Sequence, residues 1–427
     1  MHIDLVDQDD YASQGVPHDQ LRWLRDNAPV FWHEGDAERG WPGFWAITKH
    51  EDVVHVSRHS DLFSSARRLA LFNEMPEEQR DLQRLMMLNQ DPPEHTRRRS
   101  LVNRGFTPRA IGQLEEHIRD ICHQLVDEAQ RKFALSRDLT PASEIAVSRN
   151  LMPTSEIAEV DFVTDIAAPL PLYVICELLG APVEDRDKIF EWSNRMIGSE
   201  DPDYATSPEE GAVAAAEVYA YANALAAARR EQPRDDIVSK LIQPADNGEV
   251  LAEDEFDLFV LLLVVAGNET TRNAASGGML ALFEHPEQWA RLVENPALAR
   301  TAADEIVRWV SPVNLFRRTA TADTAIRGAK IAKGDKVVVF YASANRDADV
   351  FASPDVFDIG RDPNPHIGFG GGGAHFCLGN HLAKLELRVL FEVLAERLPG
   401  IRQTGDATRL RSNFINGIKT LPVTLSA

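Results

Sequence analysis

Cysteine is scarce: 427 residues carry three, Cys122, Cys176 and Cys377. An odd, widely spaced trio argues against a disulfide framework and points to a reducing cytoplasm. Cys122 and Cys176 sit in apolar helical patterns and read as plain core residues. Long hydrophobic runs are also missing. The longest, Phe259 to Ala266, falls far short of the roughly 20 residues that span a bilayer. The start, MHIDLVDQDD, has neither the basic nor the apolar region of a signal peptide, so no membrane anchor is expected. Positive charge is in short supply: 45 Lys and Arg against 66 Asp and Glu leave a net charge of -21, which argues against nucleic acid and anionic membranes as partners. No Pro/Gly/Ser linker or midway shift of composition divides the chain, so residues 1–427 are expected to form one domain.

What is present centres on His366 to Glu386, HIGFGGGGAHFCLGNHLAKLE. Four glycines lead through His375 to Cys377, and Gly379 opens a helical run, Asn380 to Arg397, with Leu382, Leu385, Val389 and Phe391 apolar. A thiolate at the mouth of a helix gains from inward backbone N–H groups and from the positive helix end. Glycines without Cβ let the backbone lie close to a large flat object. A lone buried cysteine is more often a small hydrophobe, and a glycine turn before a helix is more often a phosphate cradle. The phosphate reading needs GK[ST] or GxGxxG after a strand, and neither occurs.

The segment resembles the haem-binding loop of the cytochrome P450 monooxygenases, Phe-Gly-x-Gly-x-His/Arg-x-Cys-x-Gly, with Gly373, His375, Cys377 and Gly379 in place. Phe369 lies eight residues before the cysteine, where the common spacing is seven. A loop longer by one residue is familiar from some actinobacterial sterol and branched-lipid hydroxylases. The resemblance implies Cys377 as proximal iron ligand of a haem b, with Phe369, Gly371, His375 and Gly379 in the cofactor site.

Upstream, Val30–His33 and Gly43–Ile47 read as a small antiparallel sheet, His50–His59 as a short helix, and 68–88 as irregular. Asp91-Pro92-Pro93-Glu94 reads as a helix start, and His95 and Arg99, four apart, share a helical face. Spacing alone favours a solvated surface for that pair, whereas the resemblance makes them propionate ligands. Arg97, Arg98, Arg99, Arg104 and Arg109 crowd one stretch and could receive an acidic protein. About 130–160, a near-repeat of Pro-x-Ser-Glu-Ile-Ala reads as a surface insertion without chemistry. Asp161–Leu179, Val183–Gly198 and Glu209–Arg230 read as helices, with the acidic turn Ser199–Tyr204 between the last two.

Glu253–Phe283 is the longest helical pattern, interrupted by Ala266-Gly267-Asn268-Glu269-Thr270-Thr271. Burying such polar groups without purpose would cost several kcal/mol. The bland alternative is a Thr270 hydroxyl bonded back one turn. The cluster matches the family's oxygen-activation motif, which implies a kink at Gly267 beside Ala266 that makes room for dioxygen. Thr270 would then donate to its distal oxygen, and Glu269 would connect the site to bulk protons. Glu305-Ile-Val-Arg308 matches the family's Glu-x-x-Arg pair, with Arg361 as a third, structural member, and Arg318 matches a further propionate ligand. Ile331–Ala342, turning at Lys333-Gly334-Asp335, reads as a hairpin-like strand pair, and Asn413–Gly417 as a turn into the cavity.

The resemblance spans essentially the whole chain and implies a mainly α fold, the P450 triangular prism with a small β-rich subdomain. It implies insertion of one oxygen atom from O2 into a C–H bond, with electrons from a [2Fe–2S] ferredoxin and its NAD(P)H-dependent reductase. The expected substrate lining, Leu69, Leu71, Phe72, Leu262, Val265, Val313, Leu315, Phe316, Phe414 and Ile415, is hydrocarbon. It suits an apolar substrate, hydroxylated at the end of a sterol side chain, terpenoid or branched acyl chain. A polyketide-type hydroxylase is the alternative within the class. A gas sensor or a peroxide-driven haem-thiolate enzyme would not need Glu269 and Thr270.

Overall fold

A computed structural model describes residues 2–36, 41–74, 77–139, 160–197, 201, 203, 207–245 and 248–425. Its helices are α1 (Gln8–Gln14), α2 (His18–Asn27), α3 (His50–Arg58), α4 (Glu77–Gln83), α5 (Glu94–Val102), α6 (Pro108–Gly112), α7 (Glu115–Leu139), α8 (Pro169–Leu179), α9 (Arg186–Ile197), α10 (Pro208–Glu231), α11 (Ile237–Ile242), α12 (Glu253–Glu284), α13 (Pro286–Glu294), α14 (Ala299–Val310), α15 (Tyr341–Ala344) and α16 (Asn380–Arg397). The strands are β1 (Val30–His33), β2 (Phe44–Ile47), β3 (Phe63–Ser64), β4 (Val160–Asp161), β5 (Leu315–Ala320), β6 (Thr324–Ile326), β7 (Ala329–Ile331), β8 (Lys336–Phe340), β9 (Arg402–Gln403), β10 (Thr408–Arg409), β11 (Ile418–Thr420) and β12 (Pro422–Thr424).

The expected mainly α fold with a small β part is what forms. Helix α12 runs through the middle and packs against α8, α9, α10, α14 and α16. It begins with Glu253, Asp254 and Glu255, acids that favour the positive end of a helix, and the Glu255 carboxylate accepts from Ala252 N–H at 3.1 Å. From Leu258 to Ala266 its sequence is apolar on every side, which suits a helix enclosed by others. Helix α16 buries Leu382, Leu385, Val389 and Phe391 against α7 and α14.

The main sheet has the order β1-β2-β8-β5-β3. β1 and β2 pair antiparallel with Val30 opposite Ile47, and β2 runs parallel to β8. β8 reads KVVVF and is buried throughout, as a strand covered on both faces must be. Its side chains alternate between two cores: Val337 and Val339 join Ile47 and Phe63, while Val338 and Phe340 join Phe44, Leu24 and Phe72. The hairpin expected over Ile331–Ala342 forms differently. β7 pairs back with β6, and the Lys333–Asp335 turn hands the chain to β8, which pairs with β5.

The insertion expected at about 130–160 falls largely on 140–159, outside the described residues. Its first residues, as far as Leu139, extend α7, and Val160 begins β4, so that part belongs to the fold proper. The Ser199–Tyr204 turn also lies mostly outside the described residues. Cys122 and Cys176 are buried free thiols.

Candidate functional site

Cys377 lies where the glycine loop meets α16. Its N–H donates to the Phe369 carbonyl at 2.9 Å, and the Asn380 side-chain amide donates to the Cys377 carbonyl at 2.9 Å, so the backbone on both sides is pinned. Phe369 thus holds the loop through its backbone, and its ring meets His366 at 5.6 Å. The side chain of Cys377 is only partly exposed. Burial pushes the thiol up, against the Gly379 N–H and the Arg99 guanidinium, which pull it down. The helix-mouth effect expected from sequence is present in the Gly379 N–H, and burial outweighs it.

The glycines serve a purpose the sequence did not reveal. A Cβ on Gly371 would stand 2.6 Å from Ser57 Oγ, and one on Gly373 would stand 2.5 Å from the Ser57 carbonyl oxygen. Gly373 also has φ +76°. The loop is pressed onto α3, and the missing side chains make that approach possible. Gly379, just before α16, has no neighbour within 4 Å of a Cβ position.

Four basic side chains converge beside the cysteine. His95 and His375 have ring centroids 4.3 Å apart, and Arg99 and Arg318 act on both. Burial, then Arg99, lowers the His95 imidazole to about 4. Burial, then Arg318 and His95, lowers His375 further. His95 Nδ1 and His375 Nε2 are buried without a hydrogen-bond partner. Buried polar groups left unsatisfied are costly. Two orphaned imidazole nitrogens with two guanidinium groups therefore fit a ligand carrying carboxylates. Among the described residues no group of three or more His, Cys, Asp or Glu could hold a metal ion. A metal held here by one cysteine would take its other positions from outside the protein, as a macrocycle supplies them. The residues fit a haem with its propionates at the basic cluster.

The open face of α12 is next to be placed. Ala266 is exposed, and Leu262, Val265 and Thr270 are partly so, although the helix is otherwise enclosed. These residues fall on one side, at the i, i+4 spacing of 262, 266 and 270. The helix runs unbroken through the motif. Gly267 does not provide the opening, because its missing Cβ admits Ile175 Cδ1 of α8 at 3.2 Å. Thr270 Oγ1 donates to the Ala266 carbonyl at 2.7 Å, the back-bond weighed from sequence. Glu269 is 2 % exposed, ion-paired with Arg272, and its carboxyl is raised by burial against the pull of Arg272 and Asn273. It does not reach bulk solvent directly. Arg272 passes the link to Asn194 of α9 at 3.3 Å, and Asn268 donates to Ser193 at 3.2 Å. Arg272, and the bond Asn268 makes to Ser193, escaped the sequence reading, although the i, i+3 spacing of Glu269 and Arg272 could have flagged the first.

The expected substrate lining divides. Leu262, Val265, Val313, Phe316, Phe414 and Leu71 are partly exposed. Phe316 packs edge-on to Phe414 at 5.4 Å and carries Arg318 over its ring at 5.9 Å, which joins the apolar wall to the basic cluster. Val313 bridges Ile415, and Asn273 of α12 accepts from Ile418 N–H at 3.1 Å, so the C-terminal turn sits against α12. Phe72 and Leu315, by contrast, are in the packed core, on the other face of β5 from Phe316. Leu69 and Ile415 are equally buried, at 1 % and 3 %. Phe72 and Leu315 thus back the wall and do not face it.

Below the loop, Glu305 and Arg308 are both fully buried and paired at 2.7 and 2.8 Å. Arg361 joins Glu305 at 3.1 Å, and Arg308 donates to the carbonyls of Asn345, Pro354 and Val356, as a structural triad should. The basic patch expected to receive a partner is mostly committed elsewhere. Arg97 and Arg98 converge on Glu255, Arg104 donates to the Leu101, Gln243 and Pro244 carbonyls, Arg99 turns toward Cys377, and only Arg109 is exposed.

A model of the family Cytochrome P450 matches residues 216–398. A steroid C26-monooxygenase of Rhodococcus jostii is 44% identical over 99% of this chain and 84% of its own length. A methyl-branched lipid omega-hydroxylase of Mycobacterium tuberculosis is 44% identical over 94% of this chain and 90% of its own. Among solved structures, a Mycobacterium marinum cytochrome P450 in complex with pseudoionone superposes with TM-score 0.85 at 36% identity, covering 100% of this chain and 99% of that one. The bacillaene polyketide synthase cytochrome P450 of Bacillus subtilis does so with TM-score 0.84 at 32% identity, covering 100% of each.

Proposed function

The chain belongs to the cytochrome P450 family and is a monooxygenase, and on that premise we propose that it hydroxylates the terminal carbon of an apolar chain, a sterol side chain or a methyl-branched lipid. One observation carries the choice: the exposed side of α12 and the wall facing it, Leu262, Val265, Ala266, Val313, Phe316 and Phe414, offer hydrocarbon and almost no hydrogen-bonding group. Such a surface gains about 25 cal/mol per Å² of apolar area buried but orients a ligand by shape alone. The names borne by the two relatives fit that reading.

The family binds haem and uses O2 with electrons from a separate redox protein. When bound, the haem supplies the iron chemistry that reduces O2 and inserts one of its atoms into a C–H bond. We assign haem b, with Cys377 as the protein's iron ligand and His95, Arg99, Arg318 and His375 holding the propionates. Thr270 donates and relays a proton on the open face of α12, and Arg272, itself anchored by Asn194, holds Glu269 in place beside it. Glu305, Arg308 and Arg361 keep the segment beneath the loop rigid. The electron donor is a [2Fe–2S] ferredoxin served by an NAD(P)H-dependent reductase.

The test supplies the enzyme with NADPH, a surrogate ferredoxin and its reductase. Cholest-4-en-3-one, a methyl-branched fatty acid, a linear monoterpenoid and a macrolide are offered in turn. Products are located by mass spectrometry and NMR. Oxygen at a terminal methyl of the sterol or the branched acid is expected. Turnover of the macrolide alone would give the site to polyketide-type substrates.

A further inference from the structure

Far from the cysteine, the link between α1 and α2 and the strands β10 and β11 close over the ends of α12 and α14. They leave a cavity of about 280 Å³. Three basic side chains, His18, Arg346 and Arg409, line it, and Glu284, exposed, is the sole acid of the lining. Such a concentration is unexpected in a chain of net charge -21.

Each of the three is short of partners. Arg346 is 9 % exposed. Its guanidinium lies 3.8 Å from the Trp309 ring centroid, and its Nε has no hydrogen bond. Its carboxylate neighbour, Asp355, stands off at 3.7 Å and pairs more closely with Arg22, at 3.0 Å. His18 Nδ1 is buried and unbonded. Burial, then Arg346, Arg25, Arg22 and Arg409, hold this imidazole well below its ordinary value. Arg409 makes no ion pair with any described residue, and its Cζ lies 3.2 Å from where a Cβ of Gly15 would stand. The start of α2 also opens here, with no side-chain cap at Pro17, and its positive end adds to the same field.

A buried cation with only one stand-off counter-charge that it shares with another arginine is under-compensated, and an unbonded buried donor is costly. The volume lies below the roughly 300–1,000 Å³ of pockets that take drug-sized ligands. We propose that this cavity binds a compact tetrahedral oxyanion, phosphate or sulfate, held by Arg346 and Arg409 with His18 as a third donor. The anion would tie both ends of the chain to α12 and α14, replacing repulsion between the two guanidinium groups with shared attraction.

Inorganic phosphate and, separately, sulfate are titrated into the haem-loaded protein by calorimetry. Chloride holds the ionic strength constant, and the melting temperature is followed in parallel. Saturable binding of one anion is expected, with a rise of about 2 °C or more at saturation. Arg409→Gln, at a half-buried position on a two-residue strand, should weaken binding at least tenfold and leave the carbon-monoxide spectrum unchanged. If Arg409→Gln does not fold, Arg409→Lys takes its place, and a several-fold loss is expected because the guanidinium fork is gone. Heats and melting shifts no larger than those of chloride alone would overturn the proposal, as would wild-type affinity in the folded variant. Binding of phosphate without sulfate, or the reverse, identifies which anion the site prefers.

Discussion

Thr270 meets two demands. Its hydroxyl hydrogen is donated to the Ala266 carbonyl at 2.7 Å, which satisfies the helix, while its oxygen stays on the open side. A proton can be passed on only if that hydroxyl turns from the carbonyl to a ligand. Thr270→Ala removes the turn and little else. The variant should load haem and bind substrate as before, yet divert reducing equivalents to hydrogen peroxide, with product per NADPH falling about tenfold or more. Measuring NADPH, peroxide and product together decides the point, and unchanged coupling would place the proton path elsewhere. Glu386 presents a different burden. It is 2 % exposed on α16, its Oε2 is without a partner, and burial raises it to about 8. An unfolded chain gives up this proton near the ordinary carboxyl value, so between there and about 8 the native state holds more protons. Stability should fall as pH rises through that window, by up to about 1.4 kcal/mol per pH unit. Glu386→Gln should flatten the fall, as urea unfolding at several pH values would record. An equal slope in both proteins would remove the assignment.

Elements explain what residues alone could not. The cysteine loop was legible as a loop because glycines, His375 and Cys377 form a local pattern. Its dependence on α3 was not, since Ser57 and Gly373 are more than three hundred positions apart in sequence. Gly373→Ala would force a Cβ to within 2.5 Å of the Ser57 carbonyl oxygen at a φ of +76°. The cost should be about 2 kcal/mol or more. Haem content and melting temperature should drop together. Retention of both would show that α3 gives way. Helix α12 was legible in extent and motif, but the division of labour within the motif was not. Ala266 presents the opening while Gly267 packs against Ile175, because which side of a helix faces a neighbour depends on the neighbour. Glu386 could have been suspected: Leu382, Glu386 and Val389 fall on one stripe at helical spacing, so an acid stands among buried positions.

At the scale of the molecule, order along the chain carried the most information. His95 with Arg99, the AGNETT segment, Glu305 with Arg308 and the cysteine loop appear in sequence as separate short patterns, and the fold gives each a defined setting. Glu305, Arg308 and Arg361 meet as expected, and His95 meets His375 across a gap in sequence of about 280 residues. Surface charge was the least legible feature. A run of arginines looked free to receive a partner until Glu255 was seen to take two of them. Likewise, Phe72 and Leu315 looked like lining until the sheet turned them into core. Monooxygenase chemistry here depends on one bond that Cys377 must make, and the absorption spectrum of the reduced carbon-monoxide complex reports on it directly. The wild-type protein should show the strongly red-shifted band of thiolate ligation, and Cys377→His should lose it. Persistence of that band in the variant, or its absence from the wild type with haem bound, would show that Cys377 is not the iron ligand.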